Sequence, residues 1–96
     1  MNWYELFNEY CTVYNENIYD NGEINNEYDF MDESNLKLCL NNDTIIYVEN
    51  AVCVQHSTDD SSVPNHYIFI KSNDGYETFL EFHGDTAFDD VDITLF

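Results

Sequence analysis

The sequence is short of positive charge, with no arginine and two lysines among 96 residues, against 20 aspartates and glutamates. Its formal net charge is therefore −18. A protein that grips phosphate groups, on nucleic acid or on an anionic membrane, needs lysines and arginines in numbers that are absent here. We therefore expect no direct contact with nucleic acid or membrane. The partner that this charge favours is a basic protein.

Glycine, proline and cysteine are also scarce, with three, one and three copies. The glycines are scattered, so no glycine-rich loop precedes a helix, which excludes a phosphate-cradling loop. The longest apolar runs, such as residues 67–70, are far shorter than the roughly 20 residues of a membrane-spanning helix. An odd number of cysteines, and a start that lacks a basic and then apolar secretory signal, predict reduced thiols and a cytoplasmic protein.

The apolar residues are numerous enough to build a core. Leu, Ile, Val and Phe make up 26 of the 96 residues. That share exceeds the roughly 20 % below which highly charged chains stay disordered. A chain of this length forms one domain, which we take to span residues 1–96.

Residues that could catalyse a reaction or bind a metal lack the spacing of a site. Only Cys53-x-x-His56 resembles a pair of zinc ligands, and on a strand positions i and i+3 point to opposite faces. No acidic stretch has the alternating ligands, with glycine at the sixth position, of a calcium loop. The sequence therefore predicts a protein that is not an enzyme and has no metal and no cofactor. The alternative is a zinc site or a cysteine–histidine nucleophile pair drawn from the three cysteines and three histidines, Cys11, Cys39, Cys53, His56, His66 and His83.

The first 20 residues have the periodicity of a helix. Large apolar residues recur at steps of three and four, which predicts one apolar stripe along a helix that ends near residues 20–22. Asn2, followed three residues later by Glu5, resembles the capping box that starts such a helix. The stripe consists of Trp3, Phe7, Tyr10, Tyr14 and Ile18.

The rest of the chain predicts an antiparallel sheet after a long acidic connection. Residues 21–35 have no clean period and are predicted to be a loop, with at most a short turn or strand, pinned by Tyr28 and Phe30. Residues 36–40 and 44–49 form a predicted hairpin, residues 51–56 its extension or a third strand, and residues 91–95 a short last strand. The predicted fold class is α+β, an N-terminal helix packed on an antiparallel sheet of four to five strands.

The clearest local pattern lies in residues 67–83, where Asn73-Asp74-Gly75 separates two strand-like runs. A three-residue hairpin loop with Gly75 in the left-handed position places Ser72 opposite Tyr76. One face of this hairpin is then apolar core. The other face mixes rings with charged groups, and either the N-terminal helix or a partner must cover it. This second face comprises Tyr67, Phe69, Lys71, Glu77, Phe79 and Glu81.

In size, in a charge near −0.2 per residue, and in its aromatic-rich α+β patterning, the chain resembles the small acidic phage-encoded inhibitors that imitate nucleic acid. These include anti-CRISPR proteins, anti-restriction proteins and uracil-glycosylase inhibitors. The resemblance implies a non-catalytic protein of the bacterial host cytoplasm that blocks a basic DNA- or RNA-binding groove. A CRISPR-Cas effector, with its arginine-lined PAM site and basic heteroduplex channel, is the kind of defence nuclease implied as target.

Carboxylates on a folded surface have a spacing suited to this role, since strand residues i and i+2 lie about 6.6 Å apart, near the gap between successive phosphates. Asp20 and Glu23 are second choices for the contact surface. The residues that we expect to bind the partner lie in loops, at strand ends and on the mixed hairpin face: Asp29, Asp32, Glu33, Asp59, Asp60, Tyr67, Phe69, Glu77, Phe79, Glu81, Asp89 and Asp90.

Three other interpretations stay open. An immunity protein that neutralises a basic nuclease toxin is also small, acidic and rich in aromatic anchors. Halophilic adaptation places acids on every exposed face of an ordinary domain. An acidic domain with another role is the third.

Overall fold

The structure, a computed structural model, describes all residues from Met1 to Phe96. It contains two short helices and six strands. In chain order they are α1 (Trp3–Tyr10), β1 (Cys11–Asp20), β2 (Glu23–Cys39), β3 (Ile45–Asp59), β4 (Asn65–Ser72), β5 (Glu77–His83), α2 (Asp85–Asp89) and β6 (Asp92–Leu95).

The six strands form one antiparallel sheet in the order β1-β2-β3-β4-β5. Strand β2 pairs with β3 along one edge. Along its opposite edge it is long enough to pair with two strands, with β1 through residues 23–30 and with β6 through residues 36–39. The α+β class and the packing of an N-terminal helix on an antiparallel sheet are confirmed. The sheet has one strand more than the predicted upper limit because residues 11–20 join it.

Helix α1 begins as predicted and ends earlier than predicted. The Asn2 side chain accepts a hydrogen bond from the Glu5 backbone at 2.9 Å, and Glu5 Oε1 accepts one from the Asn2 backbone at 3.0 Å. The helix ends at Tyr10, so the predicted continuation towards residue 20 is wrong. From Cys11 the chain is extended, since Thr12 and Val13 are β-branched and the following residues pair with β2.

The acidic stretch 21–35 is not a loop, so this prediction is also wrong: residues 21–22 form the turn after β1, and residues 23–35 belong to the strand β2. Its pairing with β3 is interrupted by a bulge, where β2 advances from Asp29 to Ser34 while β3 advances only from Cys53 to Ala51. A bulge of this size bends the strand and projects its extra residues outward. The sheet is therefore continuous where the sequence favoured a break.

Both predicted hairpins are confirmed. The first joins β2 to β3 through residues 40–44, with Asp43 at a φ of 63° in the turn. The second joins β4 to β5 in the predicted register, with Phe69 opposite Phe79 and Ser72 bonded to Tyr76. Residues 51–56 continue β3 without a break, and the last strand, β6, is present.

The hydrophobic core lies between one face of the sheet and the two helices. Trp3 and Leu6 of α1 are fully buried there, as are Phe88 of α2 and Ile68 and Ile70 of β4. Stacked and edge-on rings tie the layers together, among them the Phe7–Tyr28 stack with centroids 4.3 Å apart. Helix α2, five residues long, was not predicted.

No helix of the structure has the length and apolar character needed to cross a membrane.

Candidate partner-binding face

Alternate residues of β2 to β5 form a second sheet face that no helix covers, which we call the open face. Its composition follows from the register, because side chains directly opposite each other share a face. The ring contacts of both helices reach only the other, covered face. The open face comprises Glu23, Asn25, Glu27 and Asp29 of β2, Cys53, Gln55, Ser57 and Asp59 of β3, Asn65, Tyr67, Phe69 and Lys71 of β4, and Glu77, Phe79, Glu81 and His83 of β5.

The middle of the open face is an aromatic strip. Tyr67 and Phe79 stack with ring centroids 6.2 Å apart, and Phe69 lies directly across from Phe79. Phe79 is 60 % exposed, whereas the equally large Phe88 on the covered side is 0 % exposed. The N-terminal helix therefore does not cover this face.

The strip is bordered by carboxylates on both sides. Strand β2 carries Glu23, Glu27 and Asp29 on one side, and β5 carries Glu77 and Glu81 on the other. With about 4.8 Å between neighbouring strands, the two rows are roughly 14 Å apart. Within a row, successive same-face residues are about 6.7 Å apart.

Together with burial, the carboxylates of the open face raise the pKa values of two neutral side chains beside them, Tyr67 and Cys53. Partial burial, and then the charges of Asp59, Glu81 and Glu23, raise the pKa of Tyr67. Burial and the nearby Asp29 and Glu27 likewise raise the pKa of Cys53, against a smaller opposing effect of Lys71. Both groups stay neutral at physiological pH, so neither adds charge to the open face.

Positive groups compensate very few of the carboxylates. The molecule has one ion pair, between the Met1 N-terminus and Asp92 at 3.1 Å, and one carboxylate–imidazole hydrogen bond, between Asp85 and His66 Nε2 at 2.6 Å. The other eighteen carboxylates have no cationic partner within 4.0 Å. Lys71, the one cation of the open face, forms no such bridge with Glu77 opposite.

The predicted partner-binding residues fall into three groups. Asp29, Tyr67, Phe69, Glu77, Phe79 and Glu81 lie together on the open face. Asp32 and Glu33 lie in the β2 bulge, Asp59 at the end of β3 and Asp60 in the next loop. Asp89 and Asp90 lie at the end of α2, in the helix layer away from the open face.

Asp59 is held in place by its own loop. Its carboxylate accepts hydrogen bonds from Ser61 Oγ at 2.7 Å and from the Asn65 backbone and side chain at 3.0 and 2.9 Å. The hydrogen bonds from Ser61 and Asn65 lower the pKa of Asp59. Its charge therefore persists to lower pH while the carboxylate shapes the loop.

Sequence reasoning missed Glu27, Asn25 and Gln55. Gln55 Nε2 donates to Asn25 Oδ1 at 3.2 Å and to Ser57 Oγ at 3.3 Å, and Ser57 Oγ also bonds Asn25. This network fixes the floor of the open face. An alternation over residues 23–30, in which only Asn26 breaks a period of two, was the signal that could have revealed β2 and its outward row.

Carboxylates are not confined to the open face. Six lie on it, with Asp59 opposite Glu23, and six lie on the helix layer and the start of β6: Glu5, Glu9, Asp85, Asp89, Asp90 and Asp92. The remaining eight lie on β1, in the bulge, in β3 at Glu49, and in turns and loops. Exposed rings also lie elsewhere, for example Tyr47 and Tyr76 near Glu49 and Asp74. The open face differs in that its rings form one strip on two neighbouring strands, with carboxylates on both sides of it.

The covered face contains a pair of histidines that contact each other. His56 Nε2 and His66 Nδ1 are 2.9 Å apart, and Phe88 stacks on both rings. Burial, and then the neighbouring His66, lower the pKa of His56 to about 4. No group of three or more histidine, cysteine or acidic side chains is arranged to hold a metal ion. We interpret the chain His56–His66–Asp85 as the link that holds α2 on the sheet.

The cysteines are separate from one another. Cys11, Cys39 and Cys53 are all free thiols, and burial raises the pKa of Cys11 to about 12. Cys53 lies on the open face and His56 on the covered face, so the prediction that this pair points to opposite faces is confirmed.

Comparisons with protein-family models, with curated proteins and with solved structures find no match to this chain.

Proposed function

We propose that the protein is a non-catalytic inhibitor that imitates nucleic-acid charge and blocks the basic DNA- or RNA-binding groove of a defence nuclease such as a CRISPR-Cas effector. The observation that carries this proposal is the open face, with two carboxylate rows flanking uncovered aromatic rings. A basic groove lined with arginine and lysine is the surface that complements it.

The geometry of the rows supports the imitation of a duplex. The two rows are about 14 Å apart, which compares with phosphate rows on either side of a groove about 12 Å wide. Within the rows, Glu27 and Asp29 are about 6.7 Å apart, whereas Glu23 and Glu27, and likewise Glu77 and Glu81, are about 13 Å apart. Tyr67 and Phe69 lie between the rows, in the place of the bases, and Phe79 lies within the β5 row between Glu77 and Glu81. These rings supply apolar area that phosphates alone do not, which favours protein–protein affinity.

Halophilic adaptation accounts for acids on both layers but not for the rings. A domain that only coats itself with carboxylates has no reason to leave a stacked tyrosine and phenylalanine uncovered on its sheet. The near absence of lysine also makes the free protein repel itself, a cost that a basic partner relieves.

The test is a DNA-binding and cleavage assay with a panel of guide-loaded Cas effectors. We expect the protein to inhibit at least one effector at near-equimolar ratio, and DNA and inhibitor to exclude each other. The triple variant Glu23→Gln, Glu27→Gln and Glu81→Gln should weaken inhibition by tenfold or more. Its matched control changes three carboxylates of the helix layer, Glu9→Gln, Asp89→Asn and Asp90→Asn, and should keep inhibition within about twofold.

Two results would count against the proposal. Equal losses in the two triple variants would mean that net charge, and not the open face, determines binding. No inhibition across the panel, and no nucleic-acid-binding protein among partners captured from host cells at low salt, would overturn the proposed target class.

The exposed rings also favour the second candidate, an immunity protein against a basic nuclease toxin. Phe79, 60 % exposed beside Tyr67, has the character of a binding anchor. An immunity protein can bind beside the active site, so nucleic acid would then fail to displace it from the toxin. The same competition assay, run with nuclease toxins, separates the two functions.

A further inference from the structure

Two adjacent hollows lie on the open face, one on each side of Phe69. The first has a volume of about 210 Å³ and the second of about 420 Å³. Phe69 and Gln55 line both. The hydrogen bonds from Gln55 to Asn25 and Ser57 fix the wall between them, so both hollows are formed before any partner binds.

Each hollow joins carboxylates to aromatic rings. Glu27, Asp29 and the ring of Tyr14 line the first, together with Phe69. Glu27 Oε2 accepts a hydrogen bond from Asn15 Nδ2 at 2.9 Å, whereas the carboxylate of Asp29 accepts none.

The second hollow has Glu23 on its acidic side and three rings, Tyr67, Phe69 and Phe79, on its other sides. The carboxylate of Glu23 also accepts no hydrogen bond from the protein, and Gln55 Oε1, between the hollows, has no protein donor. Both hollows thus have hydrogen-bond acceptors without a protein donor next to aromatic residues.

We propose that these two hollows are sockets for two arginine side chains of the basic partner. A guanidinium is planar and weakly hydrated, stacks on aromatic rings and donates in a fork to carboxylate oxygens. A lysine ammonium is a compact, strongly hydrated charge that gains less from ring walls. The inference rests on the proposed function for the identity of the partner, and adds which of its side chains the inhibitor recognises.

The test compares two probes of equal charge, a tetra-arginine and a tetra-lysine peptide, binding to the full-length protein at 150 mM NaCl. We expect the arginine peptide to bind at least about fivefold more tightly. In NMR spectra of the protein, the backbone-amide chemical shifts that change on adding the arginine peptide should centre on residues 53–57 and 67–71. Glu27→Gln should weaken arginine binding severalfold, whereas Glu9→Gln, the same charge change in the helix layer, should not.

The rings are tested by Phe69→Leu, which keeps the hollow apolar and should bring the arginine-to-lysine ratio towards one. Where Phe69→Leu unfolds the protein, Phe79→Leu at the exposed edge of the second hollow is the replacement, with a smaller drop in the ratio. Equal affinity of the two peptides for the wild type, or a ratio unaffected by the ring variants, overturns the socket inference.

These failures differ from failure of the proposed function. Inhibition of a nuclease with no arginine preference would overturn the sockets alone. Arginine preference without inhibition of any nuclease would overturn the proposed function alone.

Discussion

The two faces of the sheet are built from the same strands, and β4 shows the contrast within eight residues. His66, Ile68, Ile70 and Ser72 are buried beneath the helices, while the intervening residues are exposed or half-buried. Both faces carry aromatic rings, so ring content alone does not identify a core. What distinguishes them is the second layer, which the chain supplies on one side only. The covered face maintains the fold, and the open face is free to bind.

Two phenylalanines provide the strongest test of this contrast. Phe88→Ala should lower the free energy of unfolding by about 3–5 kcal/mol, because it leaves a cavity among Trp3, His56 and His66. Phe79→Ala on the open face should lower it by less than about 1 kcal/mol. Urea unfolding followed by tryptophan fluorescence measures both. Similar losses in the two variants would mean that the open face also stabilises the fold.

Acid should weaken the covered face through His56. Its pKa is about 4 in the folded state and about 6.5 in the unfolded chain, so between these values the unfolded chain binds a proton that the folded protein does not. The free energy of unfolding should therefore fall by up to about 3 kcal/mol as the pH drops from 6.5 towards 4.

The control for this effect is His56→Gln, since carboxylate protonation changes the repulsion of both proteins in the same range. Urea titrations at pH 7 and 4.5 in 0.5 M salt give the difference between variant and wild type. Parallel pH profiles would show that His56 does not contribute. The groups around His56 are Tyr4, Phe7, Thr58, His66 and Phe88, with Asp85 beyond His66.

Salt should act on the open face in its complex. We expect affinity for the basic partner to fall at least about tenfold, or about 1.4 kcal/mol, between 50 and 200 mM salt, because ion contacts in the interface release counterions. Titration calorimetry at three salt concentrations measures the slope. A flat response would indicate an interface in which the rings of Tyr67, Phe69 and Phe79 dominate.

The smallest expected effect is on the stability of the free protein, and it should be the same for carboxylate variants of either face. In the free protein, each triple carboxylate variant should raise the free energy of unfolding by less than about 1 kcal/mol at low salt, because net repulsion falls. The gain should vanish in 0.5 M salt. The carboxylates of the two faces are thus expected to contribute equally to repulsion within the free protein and unequally to partner binding. A loss of stability confined to the open-face variant would show that the carboxylates of that face have a structural role.

The sequence predicted well those parts of the chain where local chemistry and burial agree. The β4–β5 register followed from Asn73-Asp74-Gly75, where Gly75 has a φ of 87°, and from the alternation of core residues. The start of α1 followed from the capping box. In each case a turn or cap fixed the position and the apolar pattern fixed the face.

The predictions failed for β1 and β2, strands in which few residues are buried and the apolar pattern is therefore weak. Strand β1 is an edge strand with Tyr14, Ile18 and Tyr19 exposed, so its large residues imitated a helical stripe without facing a core. Its pairing is irregular, and Asn17 has a φ of 53°. In β2 one set of alternate residues lies on the open face and is polar, so the sequence of this strand contains few apolar residues from which a strand could be predicted. The composition of the open face could be predicted only in β4 and β5, because β2 and β3 join it through long-range pairing.

The eighteen carboxylates without a cationic partner have a kinetic consequence that reaches beyond the contact surface. At 0.1 M ionic strength their field extends about 10 Å from the molecule, enough to draw in and orient a basic protein before the surfaces meet. Such steering can raise association rates towards 10⁸–10⁹ M⁻¹s⁻¹. Acids on the helix layer, although remote from the open face, thus shorten the time to encounter with a basic protein, which under the proposed function favours the inhibitor in its competition with DNA.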